Sequence, residues 1–350
     1  MNLVFLSDII LVVLAFICLV VASYTDIKKR EVANWVSFSL LIAALVIRGI
    51  VGIVSTIGFG SIIMTFLLIL LFFFGIFIYL KNEKPWIEYI IAILFIGVWY
   101  LFDQYLFFMN DYFISCFLAF GIFIILTNLM YYGKIAGGAD VKILLALSVV
   151  FSTTPIFSEH SYGLFAPVFN VIVPNIFLLD FLVNSLFIGL VFGIIFSVFM
   201  ALKNRTVFSK KFREFSKKYW VFGVIMIIFG IVLLILSFSY SFLMIFGIFL
   251  ILAPILVIFV SSVQEASMKS YKSWKELTEG DWLVENVKIR REVIKPSADG
   301  LTKKDILLIK KSGKKVLVLD GMPFIPVFLV GLIISLIFGN LLFLLLKASI

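Results

Sequence analysis

Long apolar runs alternate with short polar stretches along most of the 350-residue chain. A membrane-spanning helix needs about 20 mainly apolar residues, and ten runs approach or reach that length. They predict helices at residues 8–25, 34–57, 60–80, 87–108, 112–132, 140–157, 180–202, 219–237, 241–262 and 324–346. Composition agrees, because only 14% of the residues are charged and 63% are hydrophobic. The pattern therefore predicts an all-α polytopic membrane protein with about ten transmembrane helices.

The one sizeable polar segment, residues 263–323, predicts a small α+β domain. "LTEGDWLVENVKI" is typical of a turn followed by a short strand, and "KKVLVLDG" of a second strand. Between them, "GLTKKDILLIKKSG" predicts a helix that Thr302 and Asp305 begin with a capping box and Gly313 ends. The predicted division is a transmembrane catalytic domain at 1–262, a cytoplasmic domain at 263–323 and a last transmembrane helix at 324–350.

The distribution of basic residues predicts the orientation, since Lys and Arg accumulate in cytoplasmic loops. If Lys28-Lys29-Arg30 faces the cytoplasm, alternate loops hold 27 of the 29 Lys and Arg residues. The N-terminus is then outside, and the apolar segment 162–179 is an external or re-entrant loop. The net charge of +9 suits anionic membrane lipids. A nucleic-acid partner is not expected, because the basic residues are spread over five loops without interleaved aromatic side chains.

The candidate metal ligands are few and scattered. Cys18 and Cys116 both fall inside apolar runs, and His160, the single histidine, lies in a long loop. Neither cysteine belongs to a closely spaced pair of the kind that binds zinc. We therefore expect no metal and no cofactor.

Two aspartates are predicted at the same membrane boundary, 114 positions apart. Asp26 ends the first helix, and Asp140 begins the sixth. If these helices are neighbours, the two carboxyl groups can share one proton, because like charges a few ångströms apart do not both ionise readily. One carboxylate can then take a proton from water that attacks a peptide carbonyl, while the other donates a proton. Taken separately, each aspartate can equally be a solvated boundary residue.

The residues before Asp140 suit such a site. Gly137 and Gly138, followed by Ala139, allow a substrate backbone to approach closely and permit positive φ angles, although a Gly-Gly pair is also common in ordinary turns. Helix dipoles favour an ionised carboxylate at a helix N-terminus and oppose it at a C-terminus. This argument predicts Asp140 as the base and Asp26 as the acid.

Several motifs resemble those of a known family. "GGAD" at 137–140 is similar to the glycine–x–hydrophobic–aspartate signature of the type IV prepilin peptidases, the GxGD aspartic membrane proteases. "SYTDIKKREVANW" at 23–35 resembles that family's first-aspartate motif. "GMPFIPVFLVG" at 321–331 resembles the start of the last helix in the archaeal preflagellin and prepilin peptidases, and "LTEGDWLVENV" and "GLTKKDI" resemble their soluble domain.

The resemblance implies a function. It maps the catalytic aspartates to Asp26 and Asp140 and implies an endopeptidase that removes a basic leader from pilin-like or archaeal flagellin-like precursors at the cytoplasmic face of the cell membrane. Bacterial relatives carry a four-cysteine motif and often methylate the new N-terminus. Two membrane-buried cysteines do not supply that motif, so methylation is not expected. The four helices between the two aspartates favour the archaeal pilin-processing type over the simple preflagellin type.

Two other functions remain open at this stage. Presenilin-like and signal-peptide-peptidase-like intramembrane proteases pair a Tyr-Asp dipeptide with Gly-x-Gly-Asp, whereas Thr25 separates Tyr24 from Asp26 in this chain. A transporter would use intramembrane carboxylates to bind ions. Asp103, within the fourth predicted helix, is the best residue for that function.

Overall fold

The fold is mainly helical. A computed structural model describes residues 3–29, 32–55, 59–81, 84–105, 111–133, 136–155, 176–237, 243–289, 292–297, 300–341 and 344. The helices within these ranges are α1 (Leu3–Lys29), α2 (Asn34–Ser55), α3 (Phe59–Lys81), α4 (Pro85–Tyr105), α5 (Asp111–Tyr132), α6 (Gly138–Val150), α7 (Ile176–Lys203), α8 (Arg205–Leu236), α9 (Leu243–Ser267), α10 (Lys303–Ser312) and α11 (Ile325–Phe338). The strands are β1 (Lys269–Lys272), β2 (Trp282–Leu283), β3 (Val287–Ile289), β4 (Glu292–Ile294) and β5 (Val316–Leu319).

Seven of the described helices are long and apolar enough to cross a membrane, namely α1, α2, α3, α5, α7, α8 and α9. Large apolar side chains such as Ile17, Phe74 and Leu190 are more than half exposed on their outer faces, as expected where a helix faces lipid. The prediction of a helical polytopic membrane protein is therefore confirmed. A helix lies at each of the ten predicted positions. However, α6 and α11 have only 13 and 14 residues and the apolar part of α4 spans Trp86–Phe102, so a count of ten crossings stays a prediction.

The chain forms two compact units, Met1–Leu190 with Met322–Ile350, and Val191–Gly321. In the first unit α2 packs on α1, α5 and α6, α4 packs on α5, and α11 packs on α1. Its core includes a group of phenylalanine rings with centroids about 5 to 6 Å apart, which tilted and edge-on arrangements stabilise. This group consists of Phe72, Phe95, Phe113, Phe117 and Phe120.

In the second unit, α8 and α9 pack along their length. A Cβ added to Gly230 or to Gly247 would lie 2.9 Å from the other residue's carbonyl oxygen. The two backbones can approach this closely only because both residues lack a side chain. Helix α8 begins at Arg205, so the predicted basic loop 203–218 is largely helical. The lysines, arginines and aromatic residues of this segment are compatible with a helix, because charged side chains alone do not end a helix.

The same unit contains the polar segment for which the sequence predicts a small α+β domain. Strands β1, β5 and β2 form an antiparallel sheet in that spatial order, and β3 pairs with β4. The Asp305 N–H donates to Thr302 Oγ1 at 3.2 Å, and the Thr302 N–H donates to Asp305 Oδ2 at 3.0 Å. Gly313 ends α10 with a φ of 65°. The predicted strands, helix and helix limits are confirmed.

Most of the predicted external loop lies outside the described residues, since positions 156–175 are not described. His160 falls within that range. The Asp103 backbone belongs to α4, but its side chain is also outside the described part of the structure.

Candidate catalytic site

Asp26 lies in the last turn of α1 and is only 8% exposed. Its Oδ2 atom accepts a hydrogen bond from the Ile325 N–H at 3.1 Å. Ile325 is the first residue of α11, so two helices that are far apart in the sequence meet at this carboxylate.

Asp140 lies in the first turn of α6 and is partly buried. Its Oδ2 atom accepts a hydrogen bond from the Gly137 N–H at 3.0 Å, so its side chain also helps to begin its own helix. Ala139 packs against the hydrophobic core. These local contacts explain why a Gly-Gly-Ala-Asp sequence begins a helix at this point.

The glycine pair permits positive φ, but neither residue adopts it. Gly137 is extended, with φ −74° and ψ 162°, and Gly138 is likewise absent from the glycines with positive φ. A Cβ added to Gly138 would lie 3.6 Å from the Tyr131 ring, which is an ordinary contact. Backbone conformation therefore does not require glycine here, but a Cβ added to Gly137 would lie 3.3 Å from the Asp140 Oδ2 atom, which is a tight contact.

The structure brings Asp26 and Asp140 together. Helices α1 and α6 contact each other within the first unit, and the charge of Asp26 acts on the Asp140 carboxyl group. Four complete helices, α2 to α5, lie between α1 and Asp140 in the sequence, so spacing in the sequence does not reveal this neighbourhood. The convergence depends on the packing of α1, α2 and α6.

Lys142 reinforces this end of the helix bundle. Its Nζ atom donates to the Asn34 Oδ1 atom at 2.8 Å, which joins the start of α6 to the start of α2. The lysine also places a positive charge two residues after Asp140.

No protein-family model, no curated protein and no solved structure matches this chain. The functional argument therefore depends on the geometry of the aspartate pair and on the sequence motifs. Among the described residues, no group of three or more His, Cys, Asp or Glu side chains is placed to hold a metal ion. Cys116 is buried with its Sγ atom 3.2 Å from the Ser152 Oγ atom, and Cys18 is partly buried.

A buried polar network at the opposite ends of α1 and α6 was missed by the sequence analysis. Arg48 of α2 is 1% exposed and donates to the Val150 carbonyl oxygen at the end of α6 at 2.6 Å. It also donates to the Tyr112 carbonyl oxygen at 3.1 Å and to Thr153 Oγ1 at 3.0 Å. The Tyr112 hydroxyl donates to Asp8 Oδ1 of α1 at 2.8 Å. A lone arginine within an apolar run, with an aspartate at the start of another, was the available signal.

A second buried polar cluster joins α7 to the end of α11. The Asn184 Nδ2 atom donates to Ser335 Oγ at 2.8 Å and to the Gly339 carbonyl oxygen at 2.6 Å. Nearby, the Asn340 Nδ2 atom donates to Asp180 Oδ1 at 3.0 Å. Satisfied polar groups of this kind hold helices together where water is excluded.

Proposed function

We propose that this protein is a membrane aspartic endopeptidase whose catalytic groups are Asp26 and Asp140. The observation that carries the proposal is the convergence of two carboxyl groups from α1 and α6 within interaction distance of each other. A single helix-capping aspartate would explain Asp140 alone. It would not explain why a second, largely buried aspartate lies beside it.

The chemistry follows from the pair sharing one proton. Carboxyl groups whose charges interact can titrate as a unit, with one ionised while the other is protonated, and we propose that state for Asp26 and Asp140. The ionised group accepts a proton from a water molecule as the water oxygen attacks the peptide carbonyl carbon. The protonated group gives its proton to the carbonyl oxygen, which forms a tetrahedral diol.

Collapse of that diol completes the cleavage. The first carboxyl group now holds the proton taken from water and delivers it to the amide nitrogen as the carbon–nitrogen bond breaks. One diol hydroxyl loses its proton to the other carboxylate, so the products are a carboxylic acid and an amine, and the pair again holds one proton. The backbone N–H groups of Ile325 and Gly137, which bind one oxygen of each aspartate, support the proposal because they orient both carboxyl groups before substrate binds.

The proposed substrates are precursors of the type IV pilin or archaeal flagellin class, with a short basic leader and an apolar helix. Both aspartates lie at helix ends, in the last turn of α1 and the first turn of α6. A site at that position suits a bond between a soluble leader and a membrane helix. The basic loops further favour a cytoplasmic location for this end of the helices.

A cleavage assay with purified protein in detergent tests the proposal. The substrate is a synthetic precursor peptide with a basic leader, a small residue and an apolar helix. We expect Asp26→Asn and Asp140→Asn each to lower the cleavage rate by at least about 100-fold, the contribution typical of a positioned acid or base. Asp8→Asn, which changes a buried carboxyl group at the other end of α1, is the matched control and should retain activity. Full activity of either pair variant would contradict the proposal.

The position of the cut distinguishes this function from its main alternative. We expect cleavage after the small residue, just before the apolar helix. Mass spectrometry of the new N-terminus measures the position. A cut deep within the apolar helix would instead favour a presenilin-like intramembrane protease.

A further inference from the structure

We propose that the first turn of α11 is a positioning element of the catalytic site, which holds Asp26 through the backbone N–H of Ile325. This inference rests on the proposed function and deepens it. The carboxylate belongs to α1, but the donor that orients it comes from the last described long helix, 299 residues later. The segment that begins α11 would thus be needed for catalysis although none of its side chains is a catalytic group.

The Ile325 N–H is suited to this role because of its place in the helix. The first N–H groups of an α-helix have no acceptor within the helix, and they carry the positive end of its dipole. Asp26, in contrast, lies at the C-terminal end of α1, where the α1 dipole opposes a negative charge. The start of α11 therefore supplies a positive potential that α1 cannot. Pro326 follows directly and favours a helix start at this position.

The start of α11 is held in place by α7. The Phe324 ring lies against Gly189, where an added Cβ would be 2.7 Å from the ring. The same ring makes an edge-on contact with Phe328 at a centroid distance of 5.4 Å. Only a residue without a side chain leaves room for the Phe324 ring. Because Phe324 directly precedes Ile325, this contact with Gly189 also fixes the position of the Ile325 N–H.

The far end of α11 is fixed to the same helix. Asn184 of α7 donates to Ser335 and Gly339 and accepts the Leu341 N–H at 2.9 Å. In addition, the Asn340 Nδ2 atom donates a hydrogen bond to Asp180 of α7. Because α11 contacts α7 at both ends, it resists sliding along its axis. The Ile325 N–H therefore stays within hydrogen-bond distance of Asp26.

Hydrogen exchange tests the contact without any need for activity. Proline has no N–H, so in the stretch Pro323-Phe324-Ile325-Pro326 only two backbone amides exchange. In full-length protein in detergent, we expect Asp26→Leu to speed exchange in this stretch by about 10-fold or more, since a lost bond to a charged group has an effect of this size. Asp140→Leu is the matched control and should change it less than about threefold. Unchanged exchange in Asp26→Leu would overturn the proposal.

A glycine variant tests the consequence for catalysis. Gly189→Val should displace Phe324, speed exchange at Ile325 and lower kcat by about 10-fold, with KM within about twofold of the wild type. Gly97→Val is the control, because an added Cβ at Gly97 meets nothing within 4 Å. A wild-type kcat in Gly189→Val, or equal losses in both variants, would overturn the positioning role. A wild-type protein that cleaves no precursor would refute the proposed function alone, since the exchange measurement still decides whether the contact exists.

Discussion

Replacement of Arg48 by methionine should be among the most destabilising single substitutions in the first unit. The guanidinium group makes three hydrogen bonds to groups on α5 and at and beyond the end of α6. It also lies 4.3 Å from the centroid of the Tyr112 ring. Methionine keeps the length of the side chain but supplies none of these interactions. Asp8 joins the same network through the Tyr112 hydroxyl, which donates to its Oδ1 atom.

The expected loss can be worked from these contacts. Hydrogen bonds between membrane helices contribute about 0.6 kcal/mol on average and about 1.7 at most, which gives about 2 kcal/mol for three. A desolvated cation–π contact adds about 2 kcal/mol. The cost of desolvating the arginine offsets part of this total of about 4 kcal/mol. We therefore expect Arg48→Met to lower the free energy of unfolding by about 3 kcal/mol.

Denaturant unfolding in mixed micelles, followed by tryptophan fluorescence, measures this change. Lys210→Met applies the same substitution to an exposed cation of α8 and should change the free energy of unfolding by less than about 0.5 kcal/mol. The double variant Asp8→Asn/Arg48→Met should be more stable than the sum of the two single losses predicts, because both side chains contact Tyr112 and their effects are coupled. A loss below about 1 kcal/mol in Arg48→Met would refute the argument that this network holds α1, α2, α5 and α6 together.

Three further predictions concern the second unit. Thr302→Ala removes the capping box of α10 and should lower the free energy of unfolding by about 1 kcal/mol, measured by thermal unfolding of the full chain. The control Glu214→Ala breaks only an exposed ion pair and should lower it by less than about 0.5 kcal/mol. Gly230→Val should separate α8 from α9, whereas Gly97→Val should not, and a cysteine crosslink between the two helices monitors the distance. Burial lowers the pKa of Lys272, but its bond to Asp320 and the charges of Asp281 and Asp320 outweigh burial and raise the pKa overall. The resulting stabilisation is therefore complete below the ordinary lysine pKa of about 10.4 and is lost as the pH rises above it. Lys272→Met should abolish this loss of stability at alkaline pH, as measured by thermal unfolding at a series of pH values.

Local features of the fold could be predicted from the sequence because local physics determines them. Apolar runs gave helices at all ten expected positions, and the capping residues Thr302, Asp305 and Gly313 begin and end α10 as predicted. The continuous helix α8 was not predicted, because a basic segment next to an apolar run is compatible with either a loop or an extended helix.

The arrangement of the site could be predicted only in part. The charge pattern placed Asp26 and Asp140 at one membrane boundary, but no local signal showed that α1 and α6 are neighbours. The Ile325 N–H was missed because every residue except proline has a backbone N–H, so the residue type does not show which one binds a carboxylate. The Arg48 network was missed for a related reason, since its partners come from three other helices and include carbonyl groups.

The most direct test of the central claim is a single-turnover comparison of wild type, Asp26→Asn, Asp140→Asn and the double variant on one precursor peptide. Groups that act as a unit have strongly non-additive effects on rate. The shared-proton dyad therefore predicts that each single variant falls to the same residual rate, at least about 100-fold below wild type, and that the double variant is no slower than either. Full activity in one single variant, or a double variant whose loss is the product of the two single losses, would contradict the account.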